Sequence, residues 1–252
     1  MTKPLNSLRT GQVYWSISPS WWFCAGILVS FASLLIPHLF GLEGVPRRYF
    51  GQPSSASPYE VQVFSQDPLI LYIRDFLNSE EIAHIVHLAE GNYEVSRVWP
   101  DEIGYIDTSI RVSESATVER TDILRKIENR ARRIMGWRNN STGIQPIKVQ
   151  RYKPNGFYTF HYDWDGTSDE GNRMTTFMSI GAPGVAPTFP RLKPPSDERW
   201  CDVIECEEQG DLDWYPGVTF RPIAGSAIFW ENFYPNGTPH YNTRHAGLPV
   251  VS

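Results

Sequence analysis

The sequence predicts an α+β fold, in which an antiparallel double-sheet jelly roll is supported by helices on one side. Two helical patterns lie in the first part of the chain, at 78–91 and 121–136. From 147 to 250, aromatic and β-branched runs alternate with Pro, Gly and Asn, and no helical period appears. Such runs are typical of short strands joined by turns. Helices followed by many short strands favour sheets packed against a helical layer.

The first helix has clear start and stop signals. Asn78 or Ser79 caps it, Glu81 stands where the acid of a capping box is expected, and Gly91 ends it. The second helix covers 121–136, with arginines on its outer face. Its inward-facing residues recur at helical spacing and are Ile123, Leu124, Ile127, Ala131 and Ile134. Both helices are interpreted as structural supports.

The strands are short apolar runs bounded by turn residues. Two precede the first helix, with a turn around Asp67 and Pro68 between them. The others follow the second helix. The predicted strands are 61–64, 69–73, 147–152, 158–164, 173–180, 203–206, 218–220, 227–231 and 245–250.

The composition fits one catalytic domain. A chain of 252 residues, 41% hydrophobic and 20% charged, supports one sizeable core plus an appendage. The net charge is −5, and no clustered basic face is visible. Because nucleic-acid-binding proteins carry such a face toward the phosphates, no nucleic-acid partner is expected.

An uncharged apolar run at 21–42 meets the length of roughly 20 residues that a helix needs to cross a bilayer. We interpret it as a single transmembrane signal anchor, after a short N-terminal tail at 1–20. A cleaved signal peptide and a hydrophobic surface helix remain alternatives. A linker rich in Pro, Ser and Gly follows at 43–59, and the catalytic domain covers 60–252.

Three sequons fall in the domain, at Asn139, Asn140 and Asn236. Together with the anchor they predict an endoplasmic reticulum membrane protein with a lumenal catalytic domain. The charges that flank the apolar run do not decide its orientation. Cys201 and Cys206 are the two cysteines of the domain, and the sequence leaves open whether they form a disulfide.

The most informative segment is YKPNGFYTFHYD at 152–163, which sets His161 and Asp163 two residues apart in a predicted strand. Side chains at i and i+2 project from the same face, so these two can converge on one point. His240 or His245 would add a third ligand. Two histidines and one carboxylate form the triad that holds non-haem Fe(II). The alternative is a half-buried histidine beside a solvated aspartate.

An ordered set of motifs carries a family resemblance from about 69 to the end. The chain resembles the catalytic domain of the prolyl 4-hydroxylase α-subunit type, particularly its fungal members. These are Fe(II)- and 2-oxoglutarate-dependent dioxygenases with a double-stranded β-helix. The motifs are DFLNSEEIAHIVHLAE, IRVSESA, YKPNGFYTFHYDWD, NRMTTFMS, TFPRL, GVTFRPIAGSAIFWEN and RHAGLPV.

The resemblance implies a role for each matching residue. His161, Asp163 and His245 match the iron ligands, which makes His240 a bystander. Tyr152 and Thr176 match residues of the 2-oxoglutarate pocket. The resemblance also implies a proline-containing peptide or protein as substrate and L-ascorbate as reductant.

Arg111, in the IRVSESA motif, is a candidate for peptide binding; a surface or salt-bridge role is the alternative.

The chain departs from the family pattern after the last histidine. The resemblance implies a Lys about ten residues beyond His245 for the 5-carboxylate of 2-oxoglutarate, and a strand after it. The sequence stops at Ser252, and Arg244, next to a ligand, points to the opposite strand face. Weak cosubstrate binding is therefore expected. Two explanations stay open: a shortened chain, or a catalytically impaired pseudoenzyme that acts as a binding scaffold.

Overall fold

The computed structural model describes residues 11–19, 58–99, 104–136, 142–164, 172–182, 184–206 and 217–250. Its described part is mostly antiparallel sheet, with two α-helices. In chain order the elements are β1 (Gly11–Pro19), β2 (Glu60–Gln66), β3 (Leu69–Arg74), α1 (Ser79–Ala89), β4 (Glu94–Val95), β5 (Arg111–Val112), β6 (Glu114–Thr117), α2 (Asp122–Met135), β7 (Thr142–Ile144), β8 (Lys148–Arg151), β9 (Phe157–His161), β10 (Thr175–Ile180), β11 (Pro187–Phe189), β12 (Val218–Thr219), β13 (Ala227–Glu231) and β14 (His245–Gly247).

The strands form two antiparallel sheets. The larger has nine strands in the order β2-β3-β13-β10-β1-β8-β6-β4, with β7 paired to β1. The smaller has five, in the order β12-β11-β14-β9-β5. Neighbours in both sheets are mostly distant in sequence, as in a jelly roll. The predicted mixture of a jelly roll and supporting helices therefore agrees with the architecture.

Strand alternation fills two cores on opposite faces of the large sheet. On β3, Ile70 and Tyr72 join one cluster, whereas Leu71 and Ile73 join the other. The first cluster includes Phe189 and other residues of the small sheet, so it lies between the sheets. The second cluster is built against the helices, through Ile85, Leu124, Ile127 and Ala131. The period of two thus produces a sandwich with a helical layer behind it.

The two helices begin and end at the predicted signals. The Asn78 side chain accepts a hydrogen bond from the Glu81 backbone N–H, and the Asn78 backbone N–H donates one to the Glu81 carboxylate, which completes the capping box. Thr121 caps α2, and Gly136 ends it in the left-handed conformation with φ 64°. Glu81 also pairs with Arg130, at 2.6 Å, so that α1 and α2 are joined by an ion pair.

Strand β1 is the main departure from the prediction. Residues 11–19, expected in an N-terminal tail, form a central strand between β8 and β10. The backbone of β1 pairs with both neighbours, for example Gln12 with Ile180 and Gly11 with Arg151. Without β1, the sheet would be split into two parts with open edges. No local pattern predicts this strand, because its partners on β8 and β10 lie more than 130 residues away along the chain.

The strand predicted at 203–206 is not formed. The chain there follows a 3₁₀ helix, Glu198–Asp202, and makes a single bridge between Ile204 and Phe220. A disulfide joins Cys201 and Cys206 across this turn, which answers the question that the sequence left open.

The predicted anchor at 21–42 and most of the linker lie outside the described residues. No helix among the residues described is both long and apolar enough to cross a membrane. The pairing of β1 requires residues 11–19 and the domain to lie on the same side of any membrane. A single span across 21–42 would separate them, so the sheet gives the single-pass anchor no support.

Candidate metal centre and its cavity

Three predicted ligands meet between the two sheets. His161 ends β9, His245 begins β14, and the two are paired in the sheet register. Their ring centroids lie 4.3 Å apart. Asp163 follows β9, with its Oδ1 at 3.5 Å from Nε2 of His161 and 3.6 Å from Nε2 of His245. One candidate ligand atom from each residue lies within 4.8 Å of the other two, which is close enough to share one metal ion.

The local backbone fixes how each imidazole is presented. Nδ1 of His161 lies 2.8 Å from the Thr159 carbonyl, and Nδ1 of His245 lies 2.9 Å from the Thr243 carbonyl. Because a carbonyl only accepts, each Nδ1 carries the proton and donates it. Both Nε2 atoms are then left with a lone pair, directed at the same point as Asp163. This is how ligand histidines are usually oriented in metal sites.

The electrostatics favour a neutral histidine beside an ionised aspartate. Burial, together with the nearby His161, lowers the pKa of His245 to about 4, so its imidazole is neutral at pH 7. Burial alone would raise the pKa of Asp163, but its interactions with His245, with the Arg173 guanidinium and with His161 outweigh burial and hold the pKa well below its ordinary value. Arg173 Nη1 lies 3.2 Å from Asp163 Oδ1. The protonation states are those that a cation requires.

A chain of hydrogen bonds holds the aspartate from behind. The Thr176 hydroxyl on β10 donates to Asp163 Oδ2 at 2.7 Å. Asn232 Nδ2 donates to the Thr176 Oγ1 at 3.0 Å, and Trp230 Nε1 donates to Asn232 Oδ1 at 3.0 Å. Thr176 and Asn232 are buried. Side chains of the large sheet thus orient the carboxylate of Asp163, which follows a strand of the small sheet.

His161 and Asp163 open onto a cavity of about 350 Å³. Its walls combine aromatic side chains, which are Trp99, Tyr158, Tyr162 and Trp164, with cationic ones, which are Arg111, Lys148 and Arg173. Asp163 is the single carboxylate among the described residues of the lining. Tyr158 stacks on His161 with ring centroids 3.7 Å apart, and the Arg111 guanidinium lies 4.4 Å from the centre of the Tyr158 ring.

Of the other residues predicted to be functional, some line this cavity and others do not. Thr176 lines it, and so does Arg111. Tyr152 is buried and does not appear among the described lining residues; its hydroxyl donates to Gln150, which does line the cavity. His240 contacts Asp67 at 2.7 Å and takes no part in the cluster of three. Arg244 lies over the Phe160 ring and is absent from the described lining.

Sequence reasoning missed Lys148 and Trp99, and it gave Arg173 no role although it quoted the motif NRMTTFMS. Arg173 had a usable signal, since it stands three residues before Thr176 in that motif. Lys148 and Trp99 had none, because they reach the cavity only when distant strands are assembled.

The donor set fits a divalent metal ion. Nε2 of His245 is buried and has no hydrogen-bond partner among the described residues. Leaving a buried ring nitrogen unpaired is unfavourable, unless it binds a ligand. Two neutral imidazoles and one carboxylate form the facial triad typical of non-haem Fe(II) and leave positions for further ligands.

Sequence comparison points to one group of enzymes. The chain is 28% identical to chicken prolyl 4-hydroxylase subunit alpha-1 over 199 residues, 73% of this chain and 33% of the relative. It is 26% identical to the probable prolyl 4-hydroxylase 7 of Arabidopsis thaliana over 211 residues, 77% of this chain and 62% of the relative. No protein-family model matches the chain. The resemblance to prolyl 4-hydroxylases of the α-subunit type is thus confirmed, although the chain spans only about a third of the chicken subunits.

Among solved structures, the viral collagen prolyl hydroxylase of Paramecium Bursaria Chlorella virus-1, determined as a 2OG complex, is similar at a TM-score of 0.49. The two chains are 23% identical, and the match covers 78% of this chain and 90% of that one.

Proposed function

We propose that this protein is an Fe(II)- and 2-oxoglutarate-dependent dioxygenase that hydroxylates prolyl residues in a peptide or protein. The observation that carries the proposal is the convergence of His161, Asp163 and His245 on one point beside a cavity. The relatives support the choice of reaction, since those named above are prolyl 4-hydroxylases, in name or by probable assignment.

The three ligand residues would hold Fe(II), and the cavity would take the 2-oxo acid. When bound, the iron supplies the oxidising chemistry by which oxygen is used to decarboxylate the 2-oxo acid and to hydroxylate a C–H bond. L-Ascorbate is proposed as the reductant on the strength of the family resemblance.

The protein's own contribution is to hold geometry and to exclude water. His245 is buried, and its ring is enclosed by Trp230 and Phe189, at centroid distances of 4.8 and 5.5 Å. Thr176 keeps Asp163 in one orientation through its hydrogen bond. Such a packed and hydrogen-bonded surround keeps the donor atoms in place through the reaction and limits access of bulk solvent.

The aromatic side of the cavity suits a proline-containing peptide. Trp99 is 58% exposed and lines the cavity together with Tyr162 and Trp164. Tyr162 and Trp164 pack against each other, and Tyr241 lies edge-on to both. Proline-rich segments dock in aromatic-lined grooves because their extended conformation is already fixed. Arg111 would contact the peptide where this groove meets the cavity.

The proposal is tested by incubating the full chain with Fe(II), 2-oxoglutarate, ascorbate and a proline-rich peptide under air. We expect succinate to form together with a peptide that has gained one oxygen atom. His161→Ala should abolish both products, whereas His87→Ala, which changes an exposed histidine of α1, should not. Succinate formation that persists in His161→Ala would contradict the proposal.

The alternative of a catalytically impaired scaffold finds no support in the comparisons, because the relatives named above carry enzyme names. The same assay separates the two, since a scaffold would bind peptide and release no succinate with any peptide.

A lumenal location is proposed as well. The Cys201–Cys206 disulfide is typical of an oxidising compartment, and the sequon residue Asn236 lies on an exposed turn. Asn139 and Asn140 lie outside the described residues. If the domain enters the secretory lumen, glycosidase treatment of the expressed protein should lower its apparent mass, and Asn236→Gln should remove one glycan. An unglycosylated wild-type protein would contradict this.

A further inference from the structure

Among the described residues, the walls of the cavity beside the metal ligands carry more positive than negative charge. Three cationic residues, Arg111, Lys148 and Arg173, line it against the single carboxylate of Asp163 among the described residues. That carboxylate is already engaged by Arg173 and by the two histidines. A divalent metal ion on the triad would add further positive charge. The described cavity is therefore electrostatically complementary to an anion with more than one negative charge.

Two of the three cations are held in place by other contacts. Arg173 is paired with Asp163 and so belongs to the ligand side of the cavity. Arg111 donates from Nε to the Ser113 hydroxyl at 2.8 Å, and its guanidinium lies over Tyr158. Its buried Nη2 has no partner in the part of the chain that the structure describes. A donor of this kind indicates that an acceptor is missing from the cavity.

Lys148 is the third cation, and it has no carboxylate partner among the ion pairs of the described residues. It stands on β8 two positions before Gln150, and both side chains line the cavity. Lys148 is exposed, and yet desolvation, followed by repulsion from Arg111 and Arg173, lowers its pKa. Lys148 is exposed and yet partly desolvated because its exposed surface faces the cavity and not open solvent. Its ammonium is thus repelled by the guanidinium groups of Arg111 and Arg173.

We propose that Lys148 binds the distal carboxylate of the 2-oxo acid cosubstrate. This inference rests on the proposed function, and it names the cation that would select a dicarboxylate. The cavity receives this lysine from β8. A compact ammonium on a flexible stem suits a single carboxylate.

Binding measurements without oxygen test the inference directly. The full chain is loaded with Mn(II), and the dissociation constants of two ligands are measured by calorimetry: 2-oxoglutarate, and 2-oxopentanoate, which lacks the distal carboxylate. Lys148→Gln should weaken 2-oxoglutarate binding by at least about 30-fold, as expected for the loss of one partner from a desolvated ion pair. Binding of 2-oxopentanoate should change by less than about 3-fold, because that ligand makes no use of the ammonium.

Lys153→Gln serves as the matched control, because Lys153 is an exposed lysine five residues away that pairs with Glu114. It should leave both dissociation constants unchanged. Equal Mn(II) affinity of wild type and Lys148→Gln shows that the variant is folded at the site.

Three results would overturn the inference. If Lys148→Gln binds 2-oxoglutarate as tightly as wild type, Lys148 does not hold the distal carboxylate, and the proposed function stands. If both ligands weaken equally, Lys148 has a structural role instead. If metal-loaded wild type binds no 2-oxoglutarate, the proposed function fails together with the inference.

Discussion

Thr176 and Asp163 come from different parts of the fold, yet the Thr176 hydroxyl donates to the Asp163 carboxylate at 2.7 Å. Thr176 lies on β10 of the large sheet, whereas Asp163 follows β9 of the small sheet. This hydrogen bond therefore ties one candidate ligand to the opposite wall of the sandwich. The geometry of the candidate metal centre therefore depends on how the two sheets are joined as well as on the ligand residues.

Thr176→Val should weaken metal binding. The substitution keeps the shape of the side chain but removes the donor to Asp163 and the acceptor for Asn232. Loss of such an outer hydrogen bond typically costs about 10- to 100-fold in metal affinity. Anaerobic titration with Fe(II) or Mn(II) measures the change.

Thr175→Val is the matched control for this experiment. Thr175 is also buried on β10, but its side chain contacts Met135 of α2 and not the site. It should leave metal affinity unchanged. An equal loss in both variants would mean that β10 was perturbed as a whole.

Trp99→Ala should impair peptide binding and leave cosubstrate binding intact. The exposed indole lines the cavity and offers the large apolar surface that a proline ring would cover. We expect KM for a proline-rich peptide to rise about 10-fold or more, as for the loss of an aromatic anchor. Steady-state kinetics with peptide varied, and calorimetry with 2-oxoglutarate, separate the two effects.

Ile106→Ala provides the comparison, because Ile106 is 52% exposed in the same region and is not among the described lining residues of the cavity. An unchanged KM in Trp99→Ala, or an equal rise in both variants, would argue against a peptide groove at Trp99.

Removal of β1 should open the large sheet. We compare a chain lacking residues 1–10, which keeps β1, with one lacking residues 1–19, which does not. Because β1 supplies hydrogen bonds to both β8 and β10, its loss should expose the amides of Lys148–Arg151 and Thr175–Ile180. Hydrogen–deuterium exchange should show faster exchange there in the shorter chain alone. Identical protection in the two chains would show that β1 does not hold the sheet together.

Glu81 and Arg130 should make the fold sensitive to acid. Burial alone would raise the pKa of Glu81, but hydrogen bonds from Arg130 and from the Asn78 backbone N–H outweigh it and lower the pKa below 4.5. A carboxyl with a lowered pKa stabilises the fold fully above its unfolded pKa, and this stability is lost as the pH falls through the folded pKa. Glu81→Gln should therefore lower the free energy of unfolding at pH 7 by about 2 kcal/mol.

Urea unfolding at several pH values checks this prediction. The difference between wild type and Glu81→Gln should be largest at neutral pH and should shrink once the pH falls below 4.5, where wild type also loses the ionised pair. Glu80→Gln, at an exposed neighbouring position, should differ little from wild type throughout. A difference that stays constant into the acid range would rule out the ion pair as its cause.

Much of the fold was readable from local patterns. The caps of α1 and α2 rest on residues three or four positions apart, which a sequence displays directly. The i, i+2 spacing of His161 and Asp163 is likewise local, since His161 ends β9 and Asp163 follows it two residues later. The choice of His245 over His240 came from the family resemblance, because both histidines have the same chemistry and only the fold separates them.

The rest depends on contacts that no local pattern contains. Strand β1 was missed because its place in the sheet is fixed by partners far along the chain. The cationic character of the cavity was missed because Arg111, Lys148 and Arg173 lie on separate segments that meet only in the folded sandwich. The expectation of weak cosubstrate binding considered only a lysine after His245 and Arg244 beside it, and the described cavity offers three other cations.

The most direct test of the central claim is an anaerobic Fe(II) titration of the full chain and four single variants. We predict that wild type binds one Fe(II) per chain and that His161→Ala, Asp163→Ala and His245→Ala each lose most of the affinity. His240→Ala, which changes a buried histidine outside the cluster, should bind as wild type does. Unchanged Fe(II) binding in His245→Ala, or an equal loss in His240→Ala, would contradict the assignment of this metal centre.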